Sequence, residues 1–202
     1  MERTPSKTWR IAVLTSGAGR GSNLQALNDY FKSHSLPLKI AFATASNKDA
    51  PVVQLCAKLS IPCYILSPKK DKDFEIRLLK LCQKEKIDLI ALAGFMNLLS
   101  SSFLEEVKIP VLNIHPALLP KYGGKGMYGM RVHNAVFDSG DKVSGVTVHL
   151  VDSEYDNGPI LAQLKVDISD CKNAEDIAAK VLELEHQIYA PTIYKFLSEH
   201  QS

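Results

Sequence analysis

The run Asn113-Ile114-His115-Pro116-Ala117-Leu118-Leu119-Pro120 carries the residue types best suited to chemistry. Asn113 and His115 stand two apart at the end of an apolar run, so on a β-strand both side chains project to one side. A carboxamide donor beside an imidazole can stabilise negative charge growing on a carbonyl oxygen. The imidazole titrates near neutrality and can also trade protons. The same pair also suits a structural role, as satisfied polar groups at a strand end. The two prolines favour a stiffened loop after the strand over its continuation.

A carboxylate partner for His115 is available in Asp152-Ser153-Glu154-Tyr155-Asp156-Asn157-Gly158-Pro159, a segment between two β-like runs. An acid beside the ring would favour its imidazolium form and order a water for proton transfer. Asp152, Glu154 and Asp156 are all candidates, and spacing alone does not choose among them. Otherwise the segment is a solvated hairpin with Asx-turn residues.

The third constellation is Ser16-Gly17-Ala18-Gly19-Arg20-Gly21-Ser22-Asn23. Glycines let the backbone approach an oxyanion, and the unpaired N–H groups of a following helix point at it along a favourable dipole. A dinucleotide site needs G-x-G-x-x-G, yet Ser22 holds the last position. The second strand end, Ala43-Thr44-Ala45-Ser46-Asn47, lacks the acid that holds a ribose hydroxyl. A P-loop needs Gly-Lys-Ser/Thr, which is missing here. A monophosphate site is the best reading. Gly123 to Gly129 forms a second glycine-rich loop, either a mobile cover or irregular structure. His34, His133, His149 and His200 read as surface or structural singletons, and no cluster at ligand spacing suggests a metal.

These groups need a scaffold, and the sequence supplies an α/β one. Ile11–Leu14 is a short, all-apolar run, as expected of a strand buried on both faces; Ile87–Ala93 reads as a buried strand, and Leu38–Ala43, Cys63–Leu66 and Val111–His115 as further strands. Between them come helix-period segments. One opens at Ser22 with capping residues, one runs from Ala50 to Lys58 with Pro51 in its first turn, and one from Asp73 to Lys84 places Phe74, Ile76, Leu78, Leu79 and Leu81 on its apolar side. A short helix follows near Ser101–Glu106, and Val132 to Asp138 is a further helix candidate. Such alternation implies a doubly wound, Rossmann-like, mostly parallel sheet. Gly145–Val151 and Pro159–Ile168 have no helix between them and so pair as an antiparallel C-terminal extension. Asn173 to Leu197 closes the chain as a helix that Pro191 should kink or interrupt.

Composition agrees with one globular domain. The 202 residues are 46% hydrophobic and 23% charged, and a net charge of +2 is too small for a nucleic-acid binder working by counterion release. No run approaches the roughly 18 apolar residues of a membrane span, and MERTPSKTWR lacks the apolar core of a signal peptide. Cys56, Cys63, Cys82 and Cys171 form no CxxC and read as reduced thiols in or near the core. A cytoplasmic protein is expected, with no membrane or nucleic-acid partner. None of these features sets its oligomeric state.

The strings SGxxxGSNLQAL (16–27), LAGFMNLLS (92–100), NIHPALLPKYGGKGMYG (113–129), GVTVHLVDSEYDNGPILAQ (145–163) and ELEHQIYAP (183–191) resemble the phosphoribosylglycinamide formyltransferases, folate-dependent enzymes of purine synthesis. The likeness spans about residues 10–197. It implies a single formyltransferase domain over 1–202, with a phosphate-binding half at about 10–115 and a folate-side half at about 116–202. It implies transfer of a formyl group from 10-formyltetrahydrofolate, as co-substrate and without a metal, to the amine of glycinamide ribonucleotide.

Position by position, the resemblance makes Asn113, His115 and Asp156 the catalytic trio and Gly21, Ser22 and Asn23 the loop on the substrate phosphate. It places Met96, Asn97, Leu98 and Leu99, together with Asp152, Ser153, Glu154, Tyr155 and Asp156, around the folate, which Asn113 also touches. Glu185 matches a glutamate on the glycinamide substrate. The chain departs from the pattern in a loop after Ser16-Gly17 that is two residues longer and adds Arg20, and in Leu182, where some members carry a polar residue. A folate-binding cation would fall among Lys69, Lys70 and Lys72. Relatives that formylate methionyl-tRNA or hydrolyse formyl-folate need further domains. A non-catalytic sugar-phosphate binder would have no use for the trio.

Overall fold

The apolar strand runs in the first 110 residues become parallel strands, of which Ile11–Leu14 and Leu89–Leu92 are buried on both faces while Cys63–Ile65 at the sheet edge is partly exposed. β1 (Trp9–Leu14) pairs in parallel with β2 (Leu38–Ala45) on one side and β4 (Leu89–Leu92) on the other, and β2 pairs in parallel with β3 (Cys63–Ile65). Ile11 to Leu14 and Leu89 to Ile90 are wholly buried, as the absence of alternation in their sequences predicts. The computed structural model describes residues 7–16 and 19–200, so Gly17 and Ala18 of the first glycine loop lie outside the described residues. The full strand order is β3-β2-β1-β4-β5-β6-β7, a seven-stranded, mostly parallel sheet with two antiparallel strands. The expected α/β architecture is the one observed. The chain divides into two compact units on either side of the Val111–Leu112 bond.

In the first unit, α1 (Ser22–Ser33), α2 (Pro51–Leu59), α3 (Phe74–Lys84) and α4 (Ser101–Val107) connect the strands. Two details differ from expectation. The N-cap of α1 is Gly21, with φ of 83° and no side-chain cap, and Ser22 is already inside the helix. Gly21 therefore offers no side-chain cap to the first turn of α1. A Cβ at Gly21 would sit 2.9 Å from both Val52 and Leu55 of α2, so close packing adds to the left-handed backbone in requiring glycine. In α3, Ile76 is 55% exposed; Phe74, Leu78, Leu79 and Cys82 make the buried stripe.

In the second unit, β5 (Val111–His115) pairs antiparallel with β6 (Val143–Leu150), which pairs antiparallel with β7 (Ile160–Asp167). α5 (Met130–Ser139) and α6 (Ala174–Glu199) complete it, α6 packing on β6, β7 and α5. α6 runs unbroken through Pro191, so of the kink or interruption expected there the interruption does not occur. An interior proline costs about 3 kcal/mol. Burial of Tyr189, Ala190, Thr192 and Ile193 around it holds the helix together. Tyr189 Oη donates to the Leu112 carbonyl at 2.9 Å, tying α6 to the strand one residue before Asn113.

Candidate active site

Antiparallel register builds the site. Asn113 lies directly opposite His149 and His115 directly opposite Thr147. Directly opposed residues share a sheet face, so Asn113, His115, Thr147 and His149 all project to one side. Asp156 comes to this face from the loop between β6 and β7, residues 151–159, which is closed at its base by Leu150 N donating to Pro159 O at 2.9 Å. Asp156 adopts φ of 55°, uncommon for a non-glycine residue.

The carboxylate of Asp156 is the hub. Oδ2 lies 3.6 Å from His115 Nδ1 and accepts from Gly124 N at 3.0 Å. Oδ1 lies 3.6 Å from His149 Nε2 and accepts from Asn113 Nδ2 at 3.5 Å. Of the three candidate acids, geometry selects this one. Asp152 instead shapes the loop: it accepts from Glu154 N at 2.9 Å and from Asn157 Nδ2 at 3.4 Å.

Carbonyl partners assign the ring protons, because a carbonyl oxygen only accepts. Tyr122 O is 2.9 Å from His115 Nε2, so that nitrogen carries hydrogen and Nδ1 faces Asp156. Leu150 O is 2.8 Å from His149 Nδ1, so that nitrogen donates, and Nε2 lies 3.1 Å from the Asn113 Nδ2 donor and accepts from it. One amide hydrogen of Asn113 is thereby fixed. The other has only the long contact to Asp156, which suits it to donate to an incoming oxygen.

Electrostatics set the resting charges. Burial lowers the His115 pKa, and His149 adds to this, against the upward pull of Asp156 and the Tyr122 carbonyl. The ring is therefore neutral at pH 7, and the imidazolium expected from an acid partner is not its resting form. Asp156 shows the opposite balance. Burial would raise its pKa, but the flanking His149 and His115 rings and the Gly124 N–H together bring it below the ordinary value. A neutral base beside an ionised carboxylate is ready to accept a proton.

Two of the histidines read as singletons belong here. His149 is 2% exposed and holds Asn113. His133, on α5, is buried; burial first, and then the charge of His115, brings its pKa down to about 4. The strict alternation Val146-Thr147-Val148-His149 was the available signal, since it places Thr147 and His149 on the face opposite the buried valines. Thr147 is a structural hub. Its Oγ1 donates to Ala117 O at 2.7 Å and accepts from Leu119 N at 3.0 Å and Gln163 Nε2 at 2.9 Å, pinning the turn after His115. His34 and His200 are exposed, as expected.

Asn113, His115 and Asp156 are thus gathered, and Ser153, Glu154 and Tyr155 lie on the loop that carries Asp156. Glu185 is half-buried on α6. In the first unit, Gly21, Ser22 and Asn23 form the head of α1, after β1. Met96, Asn97, Leu98 and Leu99 follow β4, the strand beside β1. Ser16 joins the two loops, its N and Oγ donating to Gly94 O at 3.2 and 2.7 Å. Both loops leave the carboxyl ends of adjacent parallel strands, where strand order reverses, the usual ligand position in an open α/β sheet. Met96 and Leu98 are exposed, and the Leu99 side chain is part of the core. Among the described residues, no group of three or more His, Cys, Asp or Glu side chains could hold a metal ion, and no helix is long and apolar enough to cross a membrane.

Residues 9–193 match the family model described as formyl transferase. A phosphoribosylglycinamide formyltransferase of Haemophilus influenzae is 35% identical over 193 residues, covering 94% of this chain and 87% of the relative. The chloroplastic one of Vigna unguiculata is also 35% identical, but the match covers 61% of its length against 94% of this chain. Among solved structures, the phosphoribosylglycinamide formyltransferase of Bacillus halodurans superposes with a TM-score of 0.84 at 32% identity, covering 95% of this chain and 97% of that one.

Proposed function

The chain belongs to the formyl transferase family, and from that premise we propose that it transfers a formyl group from 10-formyltetrahydrofolate to the amine of glycinamide ribonucleotide, a step of purine synthesis. The convergence of Asn113, His115 and Asp156 on one sheet face carries this reading. The relatives named above support the choice of substrate.

The co-substrate supplies an electrophilic formyl carbon, and the residues do the rest. As the substrate amine bonds to that carbon, Asn113 donates its loosely held Nδ2 hydrogen to the formyl oxygen, where negative charge develops. His115 takes the amine proton at Nδ1, its one open nitrogen, directly or through a water held by Asp156. The imidazolium so formed faces the Asp156 carboxylate at 3.6 Å, which offsets the burial penalty. From Nδ1 the proton passes to the folate nitrogen as its bond to the formyl carbon breaks. Amine hydrogen, carbon–nitrogen bonds and charge all balance.

In the first unit, the N-terminal turn of α1 at Gly21, Ser22 and Asn23, which has no side-chain cap from its N-cap residue, suits the substrate phosphate. Backbone of Met96 to Leu99 and Asp152 to Asp156 serves the folate, and Glu185 the glycinamide. All four cysteines are free thiols, in keeping with a cytoplasmic enzyme. The chain works as one formyltransferase domain, with a phosphate-binding half over about 10–115 and a folate-side half over about 116–202.

The test is kinetic. Asn113→Ala and His115→Ala should each lower kcat by roughly 10²–10³-fold, the usual cost of an oxyanion donor or general base. Turnover is followed by absorbance of the deformylated folate. Near-normal kcat in either variant removes that residue from the mechanism, and a wild-type protein that binds both substrates without turnover is a binding module.

A further inference from the structure

The carbonyl that sets the His115 proton belongs to Tyr122, and the side chain of Tyr122 is anchored elsewhere. Its phenol donates to Asp141 Oδ2 at 2.7 Å and sits 2.6 Å from Ser139 Oγ. Those two residues are themselves tied together at the C-terminal end of α5. Asp141 N donates to Ser139 Oγ at 3.2 Å, and Ser139 Oγ donates to Val136 O at 2.7 Å. Tyr122 also takes φ of 61°, a left-handed backbone that a non-glycine residue keeps only when its surroundings hold it there. That backbone turns its carbonyl onto His115 Nε2 at 2.9 Å. One residue therefore links a surface anchor to the imidazole.

We propose that Tyr122 is a positioning residue for formyl transfer: its phenol, moored on Asp141 and Ser139, holds its own carbonyl on His115 Nε2 and so leaves Nδ1 as the nitrogen that exchanges the proton. The inference rests on the site reading above, with His115 as the base. Without the mooring, the 122–124 segment relaxes toward a right-handed backbone and the carbonyl leaves the ring. Both tautomers then populate, and in one of them Nδ1 already carries hydrogen and cannot accept. The Gly124 N–H on Asp156 comes from the same segment, so the carboxylate loosens with it.

The titratable groups facing His115 are Asp156 from the 151–159 loop, His149 from β6 and His133 from α5. Those facing the Tyr122 phenol are Asp141 and Lys121, which pair with each other at 2.5 Å. The Tyr122 carbonyl favours the protonated ring, so its loss lowers the His115 pKa further and moves the acid limb of the kcat profile to lower pH.

The experiment compares the full chain with Tyr122→Phe and Asp141→Ala, reading histidine tautomers by long-range proton–nitrogen NMR and kcat and KM between pH 5 and 9. Tyr122→Phe should convert His115 from one Nε2–H tautomer to a mixture and lower kcat about tenfold, with KM for both substrates unchanged, the usual scale for losing an imidazole's outer hydrogen bond. Asp141→Ala, at a partly exposed position, should do the same to a smaller extent and covers the case in which Tyr122→Phe fails to fold. Unchanged tautomers and pH profile overturn the proposal, whatever happens to kcat. An active His115→Ala enzyme instead refutes the site reading.

Discussion

Replacing Asp156 by Asn removes one charge while keeping size and shape. Asp156 Oδ2 is 3.6 Å from His115 Nδ1, and Coulomb's law at an effective dielectric of ~20 gives about 4–5 kcal/mol of attraction for a full imidazolium at that distance. The carboxylate keeps 11% exposure and stands beyond hydrogen-bond length, so we take roughly half, about 2 kcal/mol, or ~30-fold in the stability of the protonated ring. Loss of the water that the carboxylate orders adds to this, and kcat for Asp156→Asn should fall about 10²-fold or more. The fold should survive. An asparagine oxygen still accepts from Gly124 N, so the stability change stays within about 1 kcal/mol. The assay is kcat by folate absorbance across pH 5 to 9, beside thermal melts. A variant that folds and turns over within about threefold of wild type refutes the electrostatic role given to this residue.

Three further outcomes follow from the same coordinates. His149→Ala frees the Asn113 amide to rotate and should lower kcat about tenfold with little change in KM, as measured by steady-state kinetics. His133 stays neutral when folded, with a pKa of about 4 against an ordinary 6.5. The unfolded chain therefore binds one more proton between those values, and stability rises with pH through that window and is lost toward pH 4. The loss amounts to about 3 kcal/mol, most of which His133→Leu should abolish in urea titrations at pH 4.5 and 7.5. Gly158→Ala drives a Cβ into the Leu150 carbonyl oxygen at the base of the Asp156 loop; it should cost on the order of 2 kcal/mol by chemical denaturation and lower kcat as well.

Much of this protein is local physics that one dimension carries. Unalternating apolar runs mark Ile11–Leu14 and Leu89–Leu92 as strands buried on both faces, and the two β-like runs Gly145–Val151 and Pro159–Ile168, with no helix between them, mark where the parallel sheet gives way to antiparallel strands. A two-residue period puts Asn113 and His115 on one side before any fold is known. Choices that depend on distance between remote segments stayed open. Spacing left open which of Asp152, Glu154 and Asp156 meets His115; the resemblance pointed to Asp156, and the β6–β7 loop brings Asp156 to the sheet face while Asp152 is consumed in shaping the turn. His149 became a neighbour of Asn113 through strand register, which no spacing along the chain reveals. The resting charge of His115 was decided by burial outweighing a carboxylate, and its proton by the carbonyl of Tyr122. That α6 is not interrupted at Pro191 has the same reason, since helix propensity is a local quantity and the packing around Tyr189 and Ile193 that overrides it is not. Periodicity along a chain determines elements and faces; desolvation and cross-strand proximity, which determine charge and reactivity, exist only once remote residues are brought together.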